Sequence, residues 1–504
     1  MHEQADPATT PTPNHMTPDE FRAEGHRMVD AIADYMRTVE SMPVTPAEPP
    51  GSVLDALPDR APENPEPWDD IHRDLDRLIV PNLTHWQHPG FFAYFSCNAS
   101  GPGILGEIAS AGLNVNGMLW STSPAATELE TRVLDWCRDA FDLPEAFTGN
   151  GVIQGTASEA TLIALLAARH RARSADPHAA ERAVLLTSTQ AHSSVIKAAM
   201  IAGLAESPDH HGPDTRVRLI ATDPDGSMDR DDLARTVAAV HAEGREVLMV
   251  SATAGTTGTG ATDDAEAIRE TLERAHESEH GAPWRGWLHL DAAWLGVAAI
   301  CPEHRTVLAG ARVADSLCVN PHKWLLTNFD CDLFWVRDRD ALTNALSITP
   351  EYLRNQQSDA GTVIDYRDWQ IPLGRRFRAL KLWFVIRHYG LEGLRAHIRR
   401  HIAWAEWFAE QITTDPTLEL VCPRRAALVC FRLVNATDEQ NKSLLTRINA
   451  SGEIFLSHTA APGDGRHAIR FVPGATSTEF RHVARAWEII REAAHKTAAG
   501  PANR

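Results

Sequence analysis

The sequence has no run of about eighteen apolar residues, the length a helix needs to cross a bilayer. Near its start there is no basic segment leading into a short apolar core, so a secretory leader is not expected either. Cysteine is scarce and badly distributed for cross-linking: there are seven, at 97, 137, 301, 318, 331, 422 and 430, an odd number with no C-x-x-C pair. That excludes a disulfide framework and a zinc ribbon as expectations. Histidines are plentiful, 24 of them, but no H-E-x-x-H occurs and no metal site is expected. Positive charge is in deficit, with 48 Lys and Arg against 67 Asp and Glu and a net charge of −19, which disfavours nucleic acid and anionic lipid as bulk partners. An acidic, reduced, cytoplasmic protein is the expectation these absences leave.

At 504 residues and 43% hydrophobic, the chain has material for a large core and for two or three domains. Residues 1–16 are polar and rich in proline and read as a disordered tail. Next, "TPDEFRAEGHRMVDAIADYMRTVE" offers Thr17 as N-cap, Pro18 at the first helical position and Glu20 to complete a capping box. Phe21, Met28, Val29, Ile32, Tyr35, Met36 and Val39 fall on one stripe of that helix. The proline-rich stretch behind it supplies no local partner, so this arm is expected to lie on the main body or on a second copy of the chain.

Between about 150 and 340, apolar runs alternate with helical patterns. Strands are predicted at 182–188, 217–223, 246–253, 286–291, 315–320 and 331–338, with a crossover helix at 262–277. The fold class this predicts is α/β with a mainly parallel sheet covered on both faces. After about 375 the pattern turns to long helices and a few strands, such as "LELVC" and "ALVCFRLV", the mark of a small α+β domain.

Ligands of open α/β sheets bind at the carboxyl ends of the strands, and several such ends carry unusual residues. "GTAS", Gly155 to Ser158, opens an amphipathic helix with free N–H groups and small side chains, a natural phosphate site and equally a plain hydroxyl cap. "SATAGTTGTGATDD" lacks G-x-G-x-x-G in register, which disfavours a dinucleotide. Asp291 ends "WLHLD" where a carboxylate needs a donor or cationic partner, and His192 follows another strand. Lys323, in "NPHKWLL", stands between apolar runs ending at Val319 and starting at Trp324. A lysine there either snorkels to water or is used as an amine. Phosphate cradle, carboxylate, imidazole and amine together are what pyridoxal phosphate requires.

The motifs "HPGFFAYF", "TSPAATELETRVLDW", "GVIQGTASEATLIALLAAR", "AHSSV", "HLDAAW", "NPHKWLLTNFDCD" and "DYRDWQIPLGRRFRALKLWF" resemble the group II pyridoxal-phosphate decarboxylases, most of all the aromatic-L-amino-acid decarboxylases. The resemblance runs from about Thr17 to "IRFVPGATS". It implies a type I PLP-dependent fold, with an N-terminal helical dimerisation arm over 17–100, a large PLP-binding domain over 101–375 and a small C-terminal domain over 376–504. It also implies a homodimer with its active site at the subunit interface. Lys323 falls on the Schiff-base lysine, with Asn320 and His322 beside it near the phosphate. Ala157 and Ser158 match the phosphate-binding helix start, and Thr257 a threonine near the ring. Asp291 matches the partner of the pyridine nitrogen, His192 the stacking group, and Tyr352 the loop tyrosine that returns a proton to the α-carbon.

For the substrate, Trp86, Tyr94 and Phe95 match the family's aromatic clamp. Ser96 and Cys97 depart from its Pro-Thr, Asn116 and Met118 stand where animal members carry larger groups reaching in from the partner subunit, and Trp294 replaces a tyrosine. Gly374 matches the glycine that accompanies indolic substrates in plant members. The implied activity is decarboxylation of an aromatic L-amino acid, with tryptophan or a related indole first, phenylalanine or tyrosine next and DOPA last. The alternatives are an aromatic aldehyde synthase and a decarboxylase of a non-aromatic amino acid; an acidic substrate would require an arginine where the clamp stands.

Overall fold

The computed structural model describes residues 15–348 and 362–498, and the chain divides into two compact units at His88/Pro89. In the first, Pro18–Thr38 is helical and opens with the expected capping box: Glu20 N–H donates to Thr17 Oγ1 at 3.2 Å and Thr17 N–H to Glu20 Oε2 at 2.7 Å. Its apolar stripe is largely bare, with Phe21 62%, Val29 46% and Met36 47% exposed. Residues 89–100, placed with the arm from sequence, belong to the second unit. The reason is their packing: Phe91 and Phe92 are fully buried, and the Phe92 ring lies tilted against Phe471 with centres 4.5 Å apart.

The second unit is built on a seven-stranded sheet. Its strands are β1 (Gly151–Gln154), β2 (Ala183–Ser188), β3 (Val217–Ile220), β4 (Glu246–Thr253), β5 (Trp287–Asp291), β6 (Ser316–Val319) and β7 (Asp332–Val336), in the order β1-β7-β6-β5-β4-β2-β3. The six predicted strands are present; β1, read from sequence only as the lead into a helix, is a seventh. Strands β3, β2, β4, β5 and β6 pair in parallel, and β7 alone runs against its neighbours β6 and β1. Because β7 opposes both, β1 points the same way as the rest, and six carboxyl ends face one edge.

Successive residues of each strand feed opposite layers, as the period of two demands. Ile153, Leu186, Val250, Leu288, Leu317 and Leu333 join one core, while Val152, Leu185, Met249, Trp287, Cys318 and Phe334 join the other. That is why the strands read as unbroken apolar runs. Gly255, just past β4, has φ +93°, and a Cβ there would meet Leu295 Cβ at 2.4 Å, so the loop entering the site requires glycine. C-terminal to these lies a four-stranded antiparallel sheet, β10-β11-β9-β8, from β8 (Leu418–Leu420), β9 (Val429–Leu433), β10 (Ser457–Ala460) and β11 (His467–Phe471). Helices Arg378–Thr414 and Phe480–Ala498 pack on it, Phe408 lying on Phe471 at 3.9 Å and 12°. Among the described residues no helix is long and apolar enough to cross a membrane.

Candidate active site

The carboxyl ends of β1, β2, β4, β5 and β6 converge on a cavity of about 200 Å³. Its lining includes nine residues predicted from sequence: Phe95, Ala157, Ser158, His192, Thr257, Asp291, Asn320, His322 and Lys323. Eight of them end or follow the strand before them in the chain, and Phe95 comes from the segment ahead of helix Gly101–Leu113. Lys323 sits in the short helix Pro321–Trp324 that directly follows β6, half-buried, its Nζ 5.4 Å from the Phe95 ring centre. Among the described residues no carboxylate lies within ion-pair distance of that amine, so it has not been neutralised as a structural salt bridge.

Asp291 closes β5 and is 6% exposed; it accepts the Ala293 N–H at 3.1 Å and faces the Cys318 thiol at 3.8 Å. Beneath it His289 is buried, with Nδ1 2.9 Å from Ser316 Oγ, and burial pushes its imidazole down to about 4 against a smaller upward pull from Asp291. His192 accepts the Ser194 N–H on Nδ1 at 3.2 Å, which leaves its ring proton on Nε2. Burial lowers its pKa, Lys323 adds to that, and Asp291 opposes, so a neutral flat ring borders the cavity. His322 is buried beside Lys323 and held down to about 3, by burial first and then by the lysine charge.

Helix Ala157–Ala175 starts without a side-chain cap, and the N–H groups of Ala157 and Ser158 have no acceptor among the described residues. The far wall is aromatic: Phe95 stacks on Trp294 (4.4 Å, 17°), and Trp294 on Trp324 (5.0 Å, 20°). Free helix N–H groups, hydroxyls, a carboxylate, a neutral imidazole and an unpaired amine suit a flat phosphorylated aldehyde with a basic ring nitrogen, so pyridoxal phosphate fits these residues.

Other predicted residues lie elsewhere. Trp86 belongs to the first unit. Tyr94 is half exposed in a left-handed turn with φ 51°, and Cys97 is half-buried, its thiol raised by burial and pulled back by the Lys323 charge. Asn116, Met118 and Gly374 are exposed or half-exposed outside the cavity lining. Asn116 Oδ1 accepts the Arg375 N–H at 2.9 Å, and the Met118 carbonyl accepts the Arg367 N–H at 3.0 Å. Tyr352 lies outside the described residues. Three neighbours of the site escaped sequence reading: Cys318, Asp332 and Arg470. Arg470 is 3% exposed, its guanidinium lies 5.0 Å from the Phe95 ring centre, and among the described residues it bonds only neutral acceptors, the Gly258 carbonyl and Ser457 Oγ among them.

A mainly parallel α/β sheet with an amine, a carboxylate and an uncapped helix start at one edge defines a class, the lysine-linked cofactor enzymes. The chain belongs to one family of it: residues 50–434 match the pyridoxal-dependent decarboxylase conserved domain. It is 45% identical to phenylacetaldehyde synthase of Arabidopsis thaliana over 95% of this chain and 96% of that one, and 43% identical to tryptophan decarboxylase 2 of Oryza sativa over the same shares. The crystal structure of Oryza sativa TDC with PLP and tryptamine superposes with a TM-score of 0.89 at 38% identity, over 97% of this chain and 99% of that one.

Proposed function

We propose that this enzyme decarboxylates an aromatic L-amino acid to its arylalkylamine, with tryptophan or a related indole preferred, then phenylalanine or tyrosine, then DOPA, and that it works in the cytoplasm as a homodimer. The observation that carries the reading is the cavity in which Lys323, with no carboxylate partner among the described residues, meets Asp291, His192 and the N–H groups of Ala157 and Ser158, which no described residue accepts. When bound there, pyridoxal phosphate supplies an electron sink for the carbanion left by carbon dioxide.

The chain's own groups do the rest. Lys323 is the amine that would hold the cofactor aldehyde and be displaced by the substrate amine. Asp291 would hold a proton on the cofactor's ring nitrogen, Ala157 and Ser158 would hold its phosphate, with Asn320, His322 and Thr257 nearby, and His192 would cover its ring. The Phe95, Trp294 and Trp324 stack excludes water and offers a flat wall to an aromatic side chain. Arg470, a buried cation with no anion beside it among the described residues, is placed to attract the substrate carboxylate. Tyr352 is assigned the return of the proton, which favours amine over aldehyde as product. The bare stripe on Pro18–Thr38 and the exposed or half-exposed positions of Asn116, Met118 and Gly374 support a dimer in which these surfaces meet a second copy.

The test is carbon dioxide release across the aromatic L-amino acids, with amine and aldehyde both quantified. Wild type should carry a visible cofactor band and release carbon dioxide from tryptophan first; Lys323→Ala should lack both. A wild type that stays colourless after reconstitution would reject the reading.

A further inference from the structure

Asp332 opens β7 fully buried, and neither of its carboxyl oxygens has a hydrogen-bond partner among the described residues. On one side it pairs with Gln154 of β1. The Gln154 side-chain NH2 donates to the Trp369 carbonyl at 2.6 Å, and its Oε1 has no partner. On the other side Leu333 pairs with Val319, so the next antiparallel step sets Asp332 against Asn320. Directly opposed residues project from the same face with Cβ atoms about 4.5–5.5 Å apart, within reach of short polar side chains.

The Asn320 carboxamide meets His322 Nε2 at 3.3 Å. His322 Nδ1 accepts the Cys331 N–H at 3.0 Å, so the neutral ring carries its proton on Nε2 and needs an oxygen opposite. With its nitrogen against the ring, Asn320 leaves Oδ1 without a partner. Turned over, which costs no space because both ends have one shape, it gives Oδ1 to His322 and its NH2 to Asp332. One acceptor is then left over, Gln154 Oε1, and the group facing it that can donate is the O–H of a protonated Asp332.

We propose that Asp332 is a positioning residue held as a neutral carboxylic acid, the link in a hydrogen-bond chain from His322 through Asn320 and Asp332 to Gln154 that fixes the turn carrying Lys323. Every donor in the chain points the same way, ending on the Trp369 carbonyl. The charged groups around Asp332 agree on balance: Asp291 on β5 and Glu159 on helix Ala157–Ala175 oppose its ionisation, and Lys323 favours it. Cys318 on β6 and Cys331 beside it are buried thiols that burial keeps protonated. Burial is the largest influence and pushes the Asp332 carboxyl well above the usual range. A neutral Asp332 leaves Asp291 as the anion reserved for the cofactor ring. That consequence rests on the cofactor assignment, whereas the proton is a property of the cofactor-free chain.

Infrared difference spectra of cofactor-free wild type against Asp332→Asn at neutral pH should contain the carbonyl band of a protonated acid. Asparagine can donate to Gln154 and accept from Asn320, so Asp332→Asn should keep the melting temperature and a cofactor dissociation constant within about threefold of wild type. Asp332→Ala strands both neighbours and should lower melting by several degrees and weaken cofactor retention about tenfold or more. As pH rises above the ordinary carboxylate range, wild type should lose stability relative to Asp332→Asn, because the unfolded chain releases a proton that the folded chain keeps. Absence of the acid band, or an Asn variant as damaged as the Ala variant, overturns the proposal; potassium-dependent melting in that case would identify a carboxylate holding a cation. An acid band in a wild type that fails to bind pyridoxal phosphate would support the chain and reject the cofactor assignment.

Discussion

Glu130→Ala should be among the most damaging single substitutions in the molecule. The Glu130 and Arg375 side chains are 4% and 1% exposed and form an ion pair. Glu130 also accepts the Ile153 N–H at 2.7 Å, while Arg375 reaches Gln370 Oε1 at 2.5 Å and the Ile153 carbonyl at 2.9 Å. The pair thus ties helix Pro124–Ala140, strand β1 and the loop before Arg378 into one network, and through the Arg375 backbone it holds Asn116 and Gly117. Burial lifts the Glu130 carboxyl above its usual range although Arg375 opposes, so desolvation outweighs the attraction to its partner. Removing one member of such a pair strands the other charge and costs about 3–5 kcal/mol, roughly two to almost four decades in the folded-to-unfolded ratio. The internal control is Arg485 with Glu453, a pair at 2.9 Å whose side chains are 53% and 50% exposed. Glu453→Ala should cost about 0–1 kcal/mol. Urea denaturation of the cofactor-free protein measures both, and Glu130→Leu with Arg375→Met should recover more than half of the loss because no buried charge is left over. If Glu130→Ala costs no more than Glu453→Ala, the buried network is not what holds this region.

Acid should destabilise the fold early. His289, His322 and His397 are buried and held down to about 4, 3 and 3. Their unfolded value is about 6.5, so their contribution is intact above that pH and is withdrawn as pH falls toward the folded values; by pH 5 each costs about 2 kcal/mol. Asp263, raised by burial to about 6, returns about 1 kcal/mol over the same window. Denaturation at pH 7, 6 and 5 should therefore show a net loss of stability, with the loss at pH 5 smaller by about 2 kcal/mol in His397→Gln; a His397→Gln profile parallel to wild type would refute it. For the arm, Phe21→Glu with Val29→Glu and Met36→Glu should convert the proposed dimer into monomer in sedimentation, and a dimer that survives all three would place the interface elsewhere.

How much of this was legible in the sequence depended on range. Runs such as "EVLMVSAT" announce buried strands because both faces are covered and no polar residue interrupts them. By contrast β1 is four residues, "GVIQ", between glycines, too short to separate from the helix lead that follows. The polar residues at the ends of β2, β5 and β6 could be found because a parallel sheet collects carboxyl ends at one edge, so local position alone marks them. Arg470 could not be found that way. It comes from β11 of the small sheet, and only the packing of that sheet sets it beside Phe95. Asn116 and Gly374 are likewise brought together by a contact across more than two hundred residues, with a Cβ on Gly374 meeting Asn116 Nδ2 at 4.0 Å.

Asp332 depends on a still finer kind of information. In "DCDLFWV" it reads as one more acid near a strand start, equally suited to a cap or to solvent. What makes it part of the site is register: Gln154 against Asp332 on one side and Val319 against Leu333 on the other. A slip of one residue in either pairing would set Leu333 or Cys331 in that row and turn the carboxyl to the opposite layer. The alternation that hides apolar side chains on both faces of β7 also sets this carboxyl in the row of Gln154 and excludes it from water. Its role is therefore a property of three strands together, and the substitution pair Asp332→Asn and Asp332→Ala reads that register as directly as it reads the proton.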